Sequence, residues 1–420
     1  MKKIKAVLIG AGARGAKAYA PYAINNPEEL QFVAVAEAID SRREAFIKEH
    51  NIPKEMAFSD YKQLFQQDID ADLALICTQD RMHHEPTILA LEKGYHVLLE
   101  KPIVTPEECI SIEKKAKDTD KNLTICHVLR YTPFFTKIKE LVDSGMIGEV
   151  ITITHNENVG YYHAAHSYVR GNWRKTEESS PMILAKSCHD IDILMWLVGD
   201  KCKSVSSFGS LKHFKKENAP EGSAERCLDC SIRDECPYDA LKLYLDKNNS
   251  GWPVNVITDD LSETGRLKAL RDGPYGRCVY HCDNDVVDHQ AVIMEFEQGA
   301  TVSFHMNAFS FNVNRTIRVS GTHGEIIGDM EEESIVYHDF VKGDKRNIEI
   351  NKITADDYGH GGGDYGLMNS LMKHMRNPED YGMNSEISSA VDSHMVTFAA
   401  EDARLKNKVV FMKDFLKNLE

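Results

Sequence analysis

Ala6-Val7-Leu8-Ile9-Gly10-Ala11-Gly12-Ala13-Arg14-Gly15 decides the fold of this chain. A short apolar run leads straight into Gly-x-Gly-x-x-Gly, and a helix-like stretch follows over residues 16–23. In that context each glycine has a separate task. Gly10 permits the tight turn, Gly12 lets the backbone approach a pyrophosphate, and Gly15 lets the helix pack close to its strand. The helix N-terminus then offers oriented N–H groups to the phosphates, a part in which Ala13 and Arg14 are expected to share. A second apolar run, Phe32-Val33-Ala34-Val35-Ala36, ends at Glu37, about 20 residues downstream, where an acid accepts hydrogen bonds from a ribose 2′-hydroxyl. A carboxylate there repels a 2′-phosphate, so NAD is expected over NADP, although Arg42 and Arg43 follow closely and could pair with such a phosphate.

Outward from this motif, Leu73-Ala74-Leu75-Ile76, His96-Val97-Leu98-Leu99 and Leu123-Thr124-Ile125 repeat the pattern of short runs apolar on both faces, with helix-like stretches between. Parallel strands covered by helices read this way. Residues 1–128 are therefore expected to form a doubly wound α/β domain with a parallel sheet. From residue 129 to 420 the pattern changes. Val150-Ile151-Thr152-Ile153-Thr154, Val292-Ile293-Met294-Glu295-Phe296, Thr301-Val302-Ser303-Phe304-His305 and Thr316-Ile317-Arg318-Val319-Ser320 alternate, with glycine turns between several of them. They predict an α+β domain with a large, open, mostly antiparallel sheet. A helix is expected over 384–405, and a polar, cysteine-bearing insertion over about 212–286.

The chain has 420 residues, 42% hydrophobic and 27% charged, and a net charge of −15. Length favours two domains, and the acidic balance argues against nucleic acid or anionic membrane as a partner. The first apolar run is too short for a signal peptide, so a cytoplasmic location is expected. The chemistry-bearing stretch is His96-Val97-Leu98-Leu99-Glu100-Lys101-Pro102. It sets a lysine beside the expected nicotinamide, where an amine can take the proton of a substrate hydroxyl while hydride leaves for the cofactor.

With these residues in place, the chain resembles the Gfo/Idh/MocA oxidoreductases, the glucose-fructose oxidoreductase and inositol dehydrogenase relatives. The resemblance is carried by the glycine fingerprint, Thr78-Gln79-Asp80-Arg81-Met82-His83, Glu100-Lys101-Pro102, Arg130-Tyr131-Thr132-Pro133 and His189-Asp190-Ile191-Asp192. It implies a Rossmann domain followed by an open-sheet domain, with the substrate between them. It implies Lys101 as the proton-transfer residue and His189 as its partner, cofactor contacts at Thr78, His83, Glu100 and Lys101, and a substrate contact at Arg130. The chain departs from the inositol dehydrogenase-like pattern at one place. Four residues before the histidine those relatives carry an Asp; here stands Ala185, followed by Lys186. Either Lys186 takes over part of that polar role, or the chemistry at the hydroxyl differs.

Trp173 and Arg174 sit in a loop rich in sugar-binding groups and are candidates for the substrate side. His360-Gly361-Gly362-Gly363-Asp364 reads as a flexible turn that either closes over substrate or connects two elements. Among ten cysteines, Cys227, Cys230 and Cys236 with a distant Cys278 or Cys282 supply enough thiolates for a structural zinc site. An Fe–S cluster or free buried thiols are the alternatives. Zinc suits an insertion with few apolar residues for a core of its own.

Three functions compete at this stage. The first is an NAD(P)-dependent oxidoreductase acting on a hydroxyl of a sugar, sugar derivative or cyclitol, with Lys101 as acid/base. The second is an NAD-dependent, redox-assisted glycosidase working by transient oxidation and elimination. The third is a catalytically idle NAD sensor. A sheet face left open within one chain makes a homodimer or homotetramer the expected assembly.

Overall fold

The protein is described by a computed structural model covering residues 3–350, 359–379, 382 and 387–419. Six strands form the first sheet: β1 (Ile4–Ile9), β2 (Leu30–Ala36), β3 (Ala57–Phe58), β4 (Leu73–Ile76), β5 (His96–Leu99) and β6 (Leu123–Ile125). All pair in parallel, in the order β3-β2-β1-β4-β5-β6. The order reverses direction beside β1, which opens a crevice at the carboxyl ends of the strands. β4 and nearly all of β1 are buried, as expected of strands covered on both faces. The helix after β1 opens with a wide turn over Ala13–Tyr19, closed by Ala20 N–H to Gly15 O. Pro21 then starts a new helix, Pro21–Asn25, because it has no N–H with which to continue the old one.

Nine strands form the second sheet: β7 (Val150–Asn158), β8 (Cys202–Ser210), β9 (His289–Phe296), β10 (Thr301–Asn307), β11 (Asn314–Gly321), β12 (Gly324–Asp329), β13 (Ser334–Asp339), β14 (Asp344–Ile348) and β15 (Val410–Phe411). Their order is β14-β13-β12-β11-β7-β10-β9-β8-β15. Only the β7–β10 pair is parallel. Alternation works as predicted along β10, where Val302, Phe304 and Met306 are buried while Thr301 and His305 are exposed. The buried face packs on the helices Cys188–Val198 and Ile387–Lys406, the second close to the helix read from sequence.

The chain returns to its first sheet near the end. In the helix Gly363–Arg376, Leu367, Met368, Leu371 and Met372 share a core with Leu8, Tyr19 and Val128. Gly363 makes the approach possible, since a Cβ there would lie 2.5 Å from Val128 O.

The insertion corrects two expectations. Cys227, Ala240, Tyr244, Val254, Leu270 and Tyr275 build a small core of their own. Buried arginines knit the loops around it. Arg170 donates to Arg277 O and Tyr238 O, each at 2.7 Å, and Arg266 to Leu261 O and Asp246 O at 2.8 and 2.9 Å. A guanidinium satisfies several loop carbonyls at once, as a crosslinking metal would otherwise do for the chain. Cys227, Cys230, Cys236 and Cys278 do line one cavity, with Arg170 against Cys227 Sγ at 3.6 Å. Cys282 instead donates to Cys278 O at 3.2 Å. Among the described residues, no group of three or more such side chains is placed to hold a metal ion, so structural zinc is not supported.

Candidate active site

Four loops meet at the carboxyl edge of the parallel sheet: 10–15 after β1, Glu37 after β2, 77–83 after β4 and 100–102 after β5. A Cβ at Gly10, where φ is +94°, would lie 2.5 Å from Cys77 O, and one at Gly15 would lie 2.2 Å from Gly10 O. Both glycines are required by the protein's own packing. Gly12 differs. Its Cβ direction is empty out to Arg42 Nη1 at 4.0 Å, so the protein's own packing does not require a glycine there. Glu37 accepts from Ala11 N–H at 2.7 Å and Ile39 N–H at 2.9 Å. These amides fix a carboxylate beside the glycine loop, as recognition of a ribose requires. Arg43 is occupied with Glu37 O and Asp40.

Lys101 stands immediately beyond the β5 loop, and its Nζ donates to Ala185 O at 2.7 Å. Glu100 supports it from below. One carboxylate oxygen accepts from Lys101 N–H at 2.9 Å, the other from Arg14 Nε at 2.5 Å and Tyr19 OH at 2.6 Å. Burial alone would raise the Glu100 pKa, but Arg14 and Lys101 outweigh it and hold the carboxyl below its ordinary range. Glu100 therefore acts as a brace for the lysine. His83 is also a brace. Its ring lies between Pro102 O at 2.7 Å and Thr78 O at 3.1 Å, tying the two loops together, while Thr78 Oγ1 bonds Met82 O.

The second domain brings His189, on the first turn of Cys188–Val198, and Lys186 just before it. Burial and the charges of Lys101, His360, His127 and Arg315 keep the His189 imidazole neutral, well below its ordinary pKa. Among the described residues its Nδ1 has no hydrogen-bond partner. Lys186 pairs with Glu157 Oε1 at 3.2 Å, and burial, with help from Arg315, lowers its pKa against the pull of Glu157. Beneath them, Arg315 bridges Glu157 at 2.5 Å and Asp190 at 2.8 Å, and His155 reaches Asp190 at 2.8 Å. Burial raises the Asp190 pKa, but Arg315 and His155 overcome it and bring the carboxyl down to about 2.

Two expected contacts are placed elsewhere. Arg130 makes a buried two-pronged pair with Asp192, both bonds 2.6 Å, and so serves the core under the site. Arg174 pairs with Asp283 at 2.9 Å and Glu178, anchoring the end of the insertion. The Arg14 guanidinium is spent on Glu100, Tyr19 and Asp364, leaving its backbone for any phosphate. Trp173 does reach the cleft rim, its indole N–H donating to Asp80 at 3.1 Å. From the stretch 155–174, rich in sugar-binding groups, the sequence reading names only Trp173 and Arg174, passing over His155 and Glu157 within it, and it does not reach Arg315. The signal was there: on β7 the apolar position Ile153 is followed, two and four residues on, by His155 and Glu157, polar groups on a buried sheet face.

A parallel sheet that presents a glycine loop and a carboxylate to a dinucleotide, with an amine and imidazoles converging from a second domain, defines a two-domain dinucleotide-dependent enzyme. Comparison with known proteins agrees. Residues 4–127 match the oxidoreductase family's NAD-binding Rossmann fold and residues 139–380 its C-terminal alpha/beta domain. The chain belongs to the Gfo/Idh/MocA oxidoreductase family. It is 26% identical to the putative oxidoreductase YteT of Bacillus subtilis over 322 residues, 71% of this chain and 72% of that one. It is 26% identical to inositol 2-dehydrogenase of Salmonella typhimurium over 49% of this chain and 57% of that one. Among solved structures, levoglucosan dehydrogenase in complex with NADH and L-sorbose superposes with a TM-score of 0.73 at 18% identity, covering 98% of this chain and 99% of that one.

Proposed function

We propose that this protein catalyses NAD-dependent oxidation or reduction at a hydroxyl-bearing carbon of a sugar, sugar derivative or cyclitol. The observation that carries the reading is the convergence of Lys101 from the first domain with His189 from the second, across the edge where Gly12 leaves room for a cofactor. NAD, when bound, supplies the hydride acceptor. Lys101 takes the hydroxyl proton, and Ala185 O holds its ammonium in line. His189, neutral, orients the same hydroxyl by donating or accepting a hydrogen bond. Glu37 favours NAD over NADP. Lys186 and Trp173 line the substrate side. The names of inositol 2-dehydrogenase and of the D-glucoside 3-dehydrogenase of Escherichia coli, 28% identical over 36% of this chain and 42% of that one, agree with a polyol or sugar substrate.

A second reading, the redox-assisted glycosidase, is favoured by one observation: the position that faces Lys101 is Ala185, which offers a carbonyl and no carboxylate. One experiment separates the two. The purified protein is incubated with NAD and a panel of sugars, cyclitols and chromogenic glycosides, while NADH absorbance and aglycone release are followed together. NADH in proportion to consumed polyol supports the dehydrogenase; aglycone without net NADH supports the glycosidase. The outer face of the second sheet exposes Phe208 at 64% and Ile293 at 45%. We assign it to pairing with a second copy of the chain, which light scattering would show as a dimer or tetramer.

A further inference from the structure

The turn His360-Gly361-Gly362-Gly363-Asp364 is unusual in its backbone and in its company. Three successive residues are left-handed, with φ of +57° at His360, +59° at Gly361 and +84° at Gly362. Glycine adopts this readily, but histidine is strained there, and strain of this kind persists where surrounding structure enforces it. The surroundings are specific. His360 Nδ1 lies 3.2 Å from Asp364 Oδ2, and Asp364 is clamped in turn by Arg14 at 2.7 Å. The His360 ring is 5.8 Å from that of His189, and 34% of the side chain is exposed.

The proton on this ring can be assigned. Burial raises the Asp364 pKa, but Arg14 and His360 together bring it well below the carboxylate range, so Asp364 is ionised and only accepts. Arg14 Nη1 also approaches Nδ1, at 3.5 Å, but the carboxylate is nearer. Nδ1 therefore carries the hydrogen, and Nε2 is left with its lone pair. Among the described residues, His163 and His189 have no partner on Nδ1. Of these three histidines, His360 has an orienting carboxylate, the arrangement that makes an imidazole a competent base.

Building on the proposed oxidoreductase reading, we propose that His360, oriented by Asp364, is a second proton-transfer residue, which removes and returns the proton on the carbon adjacent to the substrate's carbonyl. A simple alcohol oxidation needs one proton acceptor, and Lys101 already fills that place. The second step balances without a redox partner. The C–H electron pair moves into the carbonyl to give an enediolate, the proton goes to His360 Nε2, and the imidazolium is paired with Asp364. The Lys101 ammonium faces the enediolate oxygen. Reversal returns a proton from the same ring, after exchange with solvent.

The test uses 2-keto-myo-inositol and methyl 3-keto-α-D-glucopyranoside as probes. Each is incubated in D2O with the full-length protein without added cofactor, and deuterium at the carbon next to the carbonyl is read by NMR. A parallel sample with NADH records ketone reduction. The variant is His360→Asn, since asparagine tolerates left-handed φ and the fold should be kept, as a thermal melt verifies. Wild type should exchange the adjacent C–H, and in H360N exchange should fall at least tenfold further than ketone reduction does; an equal fall in both overturns the role of His360. The pH profile of exchange should follow one imidazole among Asp364, Arg14, Lys186 and His189, the charged and titratable groups around it. Reduction without exchange, or equal exchange in H360N, overturns the role of His360 and leaves the oxidoreductase reading intact. Exchange without reduction does the reverse. Absence of both overturns both.

Discussion

Two glycine-rich turns meet in this protein, residues 10–15 and 360–364, and they use glycine for different ends. In the first, Gly10 and Gly15 are forced by neighbouring backbone, while the Cβ direction of Gly12 meets nothing nearer than Arg42 Nη1 at 4.0 Å. In the second, Gly361 and Gly362 carry the chain through a left-handed turn, and Gly363 lets the following helix touch Val128. One turn keeps open space at its middle glycine; the other sets the His360 ring against Asp364. Arg14 and Asp364 bolt them together. The lesson is that glycine spacing alone does not tell a cradle from a pivot. The space left by the missing Cβ does.

Lys101→Ala touches neither turn and sets the scale for both. Turnover should fall by about two to four orders of magnitude with NAD affinity within about twofold, measured by steady-state kinetics and by fluorescence titration. A normal turnover number would remove Lys101 from the chemistry. Gly10→Ala should come next, losing about 3 kcal/mol or more of stability in urea titration, because its Cβ meets backbone at 2.5 Å.

Acid probes two buried histidines, His127 beside His189 and His166 against Tyr244 of the insertion. Burial lowers the pKa values of His127 and His166 to about 3. The unfolded chain then binds the protons between about pH 6.5 and 3, so stability falls as pH falls through that window, by about 1.4 kcal/mol per unit for each histidine. Asp190, brought down to about 2, adds a further loss below about pH 4, the usual range of a free carboxyl. A denaturation midpoint unchanged from pH 7 to 5 would contradict the neutral, buried state of these imidazoles.

Gly12→Ala sharpens the contrast most directly. With nothing nearer than 4.0 Å to its Cβ, the variant should melt as wild type does, yet bind NAD about tenfold more weakly, about 1.4 kcal/mol. Gly361→Ala should show the opposite and smaller pattern. The left-handed φ costs about 1 kcal/mol of stability, while NAD affinity stays unchanged.

The parallel sheet was legible because strands buried on both faces must be apolar throughout, and β1 to β6 follow that rule, with the two-residue β3 the one that periodicity passes over. The positions of Lys101, His189 and Glu37 around the strand ends were legible because each stands at a fixed offset from a strand end or a motif. The roles of Arg14, Arg130 and Arg174 were not, since an arginine reads the same whether it meets a ligand or a carboxylate from a distant part of the chain. Arg14 and Asp364 are 350 positions apart, and no local pattern links them. The insertion was misread for a related reason. Its apolar residues are sparse in sequence but concentrate in space, and buried arginines satisfy the loop carbonyls around them.

The sequence by itself determined the two sheets, the NAD-binding fold and the place of Lys101 at the end of β5, because these follow from periodicity and from chemistry confined to a few neighbouring residues. Tertiary structure decided which charged groups remain for a substrate. Burial and pairing between remote segments tie Arg130, Arg174 and Arg14 to carboxylates, and turn His360 from a residue in a glycine turn into an oriented imidazole beside His189.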